Sequence, residues 1–414
     1  MNDILNIQVL NNPNKIFIVY NNIKISYQIF NNMVNNNMNL LNNLNDRYIG
    51  IQIKDKLKFL ITIITINRLG KIPILYPNYP NIQDYTKSTG HSISLTDNDI
   101  KINEKSTESK EIIYSKNNVQ LVIFTSGSTG MAKPCQLTFD NLYQSTILWN
   151  KVIQFKKHDI YLNHMPLSHV SGLSIFYRAL YSNFSMVIDD FDAVKYLNII
   201  KTYNITIISM VPSMLQKITN AKVNLNKLSQ IKAIIMGGSD CDKNLIQLIK
   251  KHNLPVYMSY GMTETCSGIA GYWIKSQAKY LPHNNVHINV DKSCLVINSP
   301  TIMQKYINHK KTNNIIKTND ICKIYDDNTF EIKGRDDEVI ISGGENISIK
   351  YLKNHIETYP EIKKCTLQIV SDQKWGSVLH AILQCNGTIN RNSLLEKLKN
   401  NLPKYMIPKR IIIQ

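Results

Sequence analysis

Thr125-Ser126-Gly127-Ser128-Thr129-Gly130-Met131-Ala132-Lys133-Pro134 is the stretch on which the reading of this chain turns. It follows the apolar run Gln120-Leu121-Val122-Ile123-Phe124, which predicts a buried strand, and precedes a helix predicted near Asp140 to Trp149. Its two glycines let the backbone take positive φ and turn successive N–H groups towards an anion. The hydroxyls of Thr125, Ser126, Ser128 and Thr129 add donors, and Lys133 adds a positive charge. The spacing is not that of a Walker A loop, because Met131 and Ala132 separate Gly130 from Lys133 and Pro134 follows it. So ordered a run after a buried strand fits a nucleotide phosphate cradle better than a Ser/Gly-rich surface turn.

Outward from this loop the chain alternates strand and helix. Ile16 to Tyr20, Tyr48 to Ile53, Ile72 to Tyr76, Thr206 to Met210 and Lys232 to Met236 read as strands. Lys56 to Asn67 reads as a helix, and its apolar part, Phe59 to Ile66, is too short to cross a bilayer. This alternation predicts an α/β fold with a largely parallel sheet, whose ligands bind at the carboxyl ends of its strands. Beyond Asp326 the character changes. Phe330-Glu331-Ile332 leads into a charged turn, Gly334-Arg335-Asp336-Asp337-Glu338, and a small α+β pattern runs on from it. The expected division is 1–334 and 335–414.

The net charge is +18 over 414 residues, but Lys and Arg are scattered and only 19% of residues are charged. That argues against nucleic acid as the main partner and suits anionic small molecules. The seven cysteines lie far apart without a CxxC pair, which fits a reducing cytoplasm. The start MNDILNIQVL lacks the charge and apolar core of a signal peptide. The Asn-rich stretch Asn31 to Asn45 is discounted as compositional bias, not as disorder or special chemistry.

Further segments stand in order along the chain: Pro166-Leu167-Ser168-His169-Val170-Ser171-Gly172, Gly237-Gly238-Ser239, Tyr260-Gly261-Met262-Thr263-Glu264-Thr265, Asp320, Gly334-Arg335-Asp336-Asp337 and Gly343-Gly344-Glu345-Asn346-Ile347. Together with the phosphate loop they resemble the adenylate-forming superfamily of acyl-CoA synthetases, luciferases and peptide-synthetase adenylation domains. The resemblance covers nearly the whole chain. It implies a large N-terminal adenylate-forming domain of layered α/β sheets and a small mobile C-terminal domain hinged near Asp337. It also implies ATP, Mg²⁺ and CoA as reactants, with an acyl-adenylate formed first and a thioester second.

Roles carry over residue by residue. Thr125, Ser126, Gly127, Ser128, Thr129, Gly130 and Lys133 would hold phosphates, and Thr263 would bond the α-phosphate. Glu264 would hold Mg²⁺. Gly237, Gly238, Ser239, Tyr260 and Gly261 would form the adenine side, with the Tyr260 ring stacking on the base. Asp320 would accept from the ribose hydroxyls, and Arg335 would support them. His169, Ser171 and Gly172 would line the acyl site, and Gly343 and Gly344 the thiol tunnel. Met165 to Ser174, Gly261 to Ser267 and Ile340 to Ile347 are most similar to o-succinylbenzoate–CoA ligases of menaquinone synthesis. That acid carries a second, unreacting carboxylate, for which Arg178 is the candidate partner, with a surface salt bridge as its bland alternative.

Other acids, a carrier-loading adenylation domain and a non-catalytic nucleotide binder stay open at this stage. Asn319 replaces the Gly before the ribose Asp, which puts local loop geometry in question. The sequence given stops at Gln414, before the Gly-Lys motif in which such enzymes carry their adenylation lysine. Lys404 and Lys409 do not match that position, so the expectation is weakened adenylation with thiol transfer preserved.

Overall fold

The computed structural model describes residues 1–77, 83–106, 112–125, 132–336, 339–387 and 390–414. Among them are four sheets. The largest has nine strands, and its middle is the predicted parallel array. Ile16–Tyr20, Ser185–Ile188, Ile160–Asn163, Ile207–Met210, Ala233–Met236 and Val256–Met262 run parallel in that spatial order. Antiparallel strands close both of its edges.

A second sheet of six strands carries Val119–Thr125 beside Ile72–Leu75 in parallel and beside Lys133–Thr138 in antiparallel register. The two short strands at its ends are Ser94–Thr96 and Lys305–Tyr306. The third sheet is antiparallel throughout and includes Ile315–Ile324 and Phe330–Arg335. Here the expected charged turn is corrected: the strand runs on through Gly334 and Arg335, because both keep ladder partners in Ile321 and Asp320. Asn319 also sits in this ladder without positive φ, so it replaces glycine at no conformational cost.

Local sequence explains the helices that pack between the sheets. Lys56–Arg68 starts where the Asp55 side chain accepts the Lys58 N–H at 2.8 Å, and Leu57 and Phe59 to Arg68 are buried. Phe139–Ile153 is opened by a capping box between Thr138 and Asn141 and stopped by Gln154 in the left-handed conformation. The asparagines discounted above do specific work. Arg68 is buried against Asp3 at 2.9 Å, and Asn31 and Asn35 accept from the same guanidinium at 2.7 and 2.6 Å. A buried cation needs such partners, because each bare charge costs several kcal/mol.

Residues from Ile340 to Ile411 form a core of their own around Leu352, Ile356, Leu383 and Leu398. Its sheet pairs Ile362–Asp372 with Gly376–Cys385 and adds Arg410–Ile413 in parallel. No described helix is long and apolar enough to cross a membrane.

Candidate active site

A cavity of about 1910 Å³ opens where the strands Val119–Thr125, Ala233–Met236 and Val256–Met262 end at their carboxyl termini. Thr125, Lys133, Gly237, Gly238, Ser239, Tyr260, Gly261, Thr263 and Glu264 all line it. Three separate stretches of sequence thus converge on one space, in the place the strand topology predicted. Ser126, Gly127, Ser128, Thr129 and Gly130 lie outside the described residues, but their flanks are placed. Thr125 and Lys133 are register partners on adjacent strands, so the loop leaves and returns at one point of the wall. The Thr125 hydroxyl is buried with no hydrogen-bond partner among the described residues, as a donor awaiting an anion would be.

Glu264 sits in a single turn, Thr263–Thr265, at the end of the strand Val256–Met262. Tyr306 donates its phenol hydrogen to Glu264 Oε1 at 2.5 Å, and its ring lies 5.6 Å from Lys133 Nζ. No described group of three or more His, Cys, Asp or Glu could hold a metal ion alone. One carboxylate with a free oxygen, beside an orphan hydroxyl and a lysine, fits a Mg²⁺ that arrives with phosphate ligands of its own. Asp320 accepts from Tyr260 Oη at 2.5 Å and from Arg335 at 3.0 Å. Tyr260 is therefore tied to Asp320 through its phenol and packed between Tyr280 and Phe330, 5.6 Å from each.

The other end of the cavity is lined by His169, Ser171 and Arg178. Gly172 departs from its acyl-site expectation and lies outside this wall. Its Cα backs onto the Pro166 and Met165 carbonyls, where an added Cβ would come within 2.4 Å, so its small size serves packing. Arg178 is no surface residue: it is 3% exposed, in a helix, Val170–Ser182, that buries nine consecutive residues. One guanidinium nitrogen donates to Ser267 Oγ at 2.7 Å, the guanidinium carbon lies 4.5 Å from the Trp149 ring centroid, and Nε has no hydrogen-bond partner among the described residues. No described carboxylate lies within ion-pair distance of it.

Ser267 is the hub of this end. Its Oγ also accepts from Trp149 Nε1 at 3.2 Å and lies 3.2 Å from Ser145 Oγ, on a backbone with φ +96°. His283 packs edge-on to Trp149 at 5.1 Å and bonds Tyr257 Oη at 2.9 Å. Burial, aided by the Arg178 charge, pulls its pKa down to about 3 and keeps it neutral.

The small domain closes the cavity. A Cβ added to Gly238, at φ +83°, would lie 3.9 Å from the Gly344 Cα, and Gly343 N donates to Trp375 O at 2.8 Å. A Cβ on Gly343, itself at φ +61°, would meet the Trp375 ring at 2.6 Å, so glycine is required there for close approach. Glu345 Oε1 stands 3.7 Å from His169 Nε2, and burial raises the Glu345 carboxyl above its usual range. Asp337, the expected hinge, lies outside the described residues.

Sequence reading missed Tyr306, Trp149 and Ser267 as site residues. Only Ser267 left a signal, through its place just after Thr263-Glu264-Thr265.

With this geometry in place, the chain was compared with known proteins. Residues 5–307 match the model of the AMP-binding enzyme family. A 2-succinylbenzoate–CoA ligase of Bacillus licheniformis is 32% identical, over 70% of this chain and 64% of that protein, which is less than two thirds of that relative. One from Staphylococcus epidermidis is 27% identical over 99% of this chain and 93% of that protein. Among solved structures, o-succinylbenzoate CoA synthetase from Bacillus subtilis, bound to a product analogue, superposes with a TM-score of 0.91 at 22% identity, covering 100% of this chain and 95% of that one.

Proposed function

The chain belongs to the AMP-binding enzyme family, and on that footing we propose that it is a cytoplasmic 2-succinylbenzoate–CoA ligase of menaquinone synthesis. In the first half-reaction an oxygen of the aliphatic carboxylate attacks the α-phosphorus of ATP and pyrophosphate leaves. In the second, the CoA thiol gives up its proton and attacks the acyl carbon, and AMP leaves. The first step brings anions together, so positioning and charge neutralisation dominate its catalysis.

Lys133, Thr125 and Thr263 face that task directly. Glu264 would hold Mg²⁺, which when bound supplies further neutralisation of the phosphates. Asp320, with Arg335 and Tyr260 behind it, offers carboxylate oxygens for the ribose. Gly343 and Gly344 would line a passage for the thiol near Gly238. Free cysteines throughout the described chain support the reducing compartment.

One observation carries the choice of acid: Arg178 is a buried cation at the acyl end with no ion-pair carboxylate among the described residues. Such a charge is costly unless a ligand completes it, and an acid with a second carboxylate does so. The test is ATP–pyrophosphate exchange with 2-succinylbenzoate, benzoate and a medium-chain fatty acid. Preference for 2-succinylbenzoate is expected, whereas preference for the fatty acid would overturn the choice. AMP binding without exchange on any acid would identify a non-catalytic binder.

A further inference from the structure

We propose that Tyr306 is the positioning residue of the metal-side carboxylate: its phenol fixes one oxygen of Glu264 and leaves the other facing a phosphate-bound divalent cation. This rests on the ligase reading above and deepens it.

The Lys305–Tyr306 strand is an edge segment whose ladder partners are Gln136 and Cys135. Three residues before Tyr306, Met303 N donates to the Glu264 carbonyl at 2.8 Å. Glu264 is thus held twice by one segment, through its backbone and through Oε1 at 2.5 Å from Tyr306 Oη. An ionised carboxylate oxygen can only accept, so the phenol is the donor and the bond has one direction. With Oε1 occupied, Oε2 is the oxygen left for the cavity. Glu264 belongs to no described group of three or more metal-binding side chains, so the aim of this one side chain weighs heavily on how well a cation is caught. Lys133, over the same ring, shares the support, so one aromatic side chain sets two charged groups of opposite sign at the phosphate end.

The experiment is Tyr306→Phe in the full chain, with Mn²⁺ titrated into the protein–ATP complex and free Mn²⁺ read by electron paramagnetic resonance. Mn²⁺ affinity is expected to fall about 10-fold, the size seen when a metal ligand loses its supporting hydrogen bond. The Mg²⁺ concentration for half-maximal pyrophosphate exchange should rise in proportion, and the rate should recover at saturating Mg²⁺. Unchanged Mn²⁺ affinity, or a rate that stays low at saturating Mg²⁺, would overturn the proposal. If the Phe variant does not fold, 3-fluorotyrosine at position 306 keeps the shape and changes the phenol acidity. Mn²⁺ affinity must then move, and a constant value counts against the proposal. A wild-type chain inactive both in exchange with every acid and in thioester formation from preformed acyl-adenylate and CoA would sink the ligase reading instead, so the two failures are distinguishable.

Discussion

The two ends of the cavity handle charge differently. At the nucleotide end, the named carboxylates have partners from the protein: Asp320 has Tyr260 and Arg335, and Glu264 has Tyr306. At the acyl end, Arg178 has a serine hydroxyl and an indole face, but no described carboxylate. The first arrangement is preorganised for a ligand that brings its own metal and its own charges. The second is an unfinished pair, and an unfinished buried pair specifies the sign of what completes it. On the proposed reading, one fold keeps its adenylating chemistry general while a few residues beyond it choose the acid.

The largest expected effect breaks the nucleotide end. Glu264→Gln removes the metal-side charge, and pyrophosphate exchange should fall about 10³-fold, the scale of losing one preorganised electrostatic group. ATP exchange within tenfold of wild type would place the metal elsewhere.

Next in size is a pH effect on stability from two buried histidines, His283 beside Trp149 at the acyl end and His164 against Phe191 and Tyr196. His164 and His283 are buried with pKa lowered to about 3, in each case chiefly by burial. The unfolded chain takes up both protons below about pH 6.5, while the native state stays neutral until about pH 3. Stability should therefore be flat above pH 6.5 from these groups and fall as pH drops through that window, with a slope approaching about 2.7 kcal/mol per pH unit for two protons. Chemical denaturation across pH 4 to 7 reads this. The His164→Leu, His283→Gln double variant should flatten the slope, and an unaltered slope would remove both histidines from the account.

A smaller change sharpens the comparison. Ser267→Ala takes the acceptor from Arg178 and Trp149 while leaving the nucleotide end intact. KM for the acid should rise about 10-fold, the scale of one charge-assisted hydrogen bond, with KM for ATP unchanged. Equal rises in both would mean that the two ends are not separable.

The nucleotide end was the more legible in sequence, for a physical reason. Backbone cradles need glycines and hydroxyls in unbroken local order, so Thr125 to Lys133, Gly237-Gly238-Ser239 and Tyr260 to Glu264 announce themselves. The acyl end depends on side chains brought together from far apart: Trp149, Arg178 and Ser267 come from three elements. Arg178 did leave a trace, as the lone charge in the otherwise apolar run Leu173 to Leu180. A charge on a helix apolar all round is buried, and reading it as a possible surface salt bridge underweighted that rule. Tyr306 was invisible because a two-residue strand carries it to Glu264 across forty-two positions. Asn31 and Asn35 were hidden by composition, since an asparagine solvating Arg68 looks like every other asparagine in a chain rich in them.

The most direct test pairs two acids with two proteins. Wild type and Arg178→Met are each assayed for acyl-adenylate formation with 2-succinylbenzoate and with 3-benzoylpropionate, which keeps the reacting carboxylate and lacks the one on the ring. The wild type should favour the dicarboxylate by about 30-fold in kcat/KM, within the range for one buried charge-assisted pair, and the variant should lose that preference while folding at least as stably. A preference that survives in Arg178→Met would contradict the assignment of the acyl end.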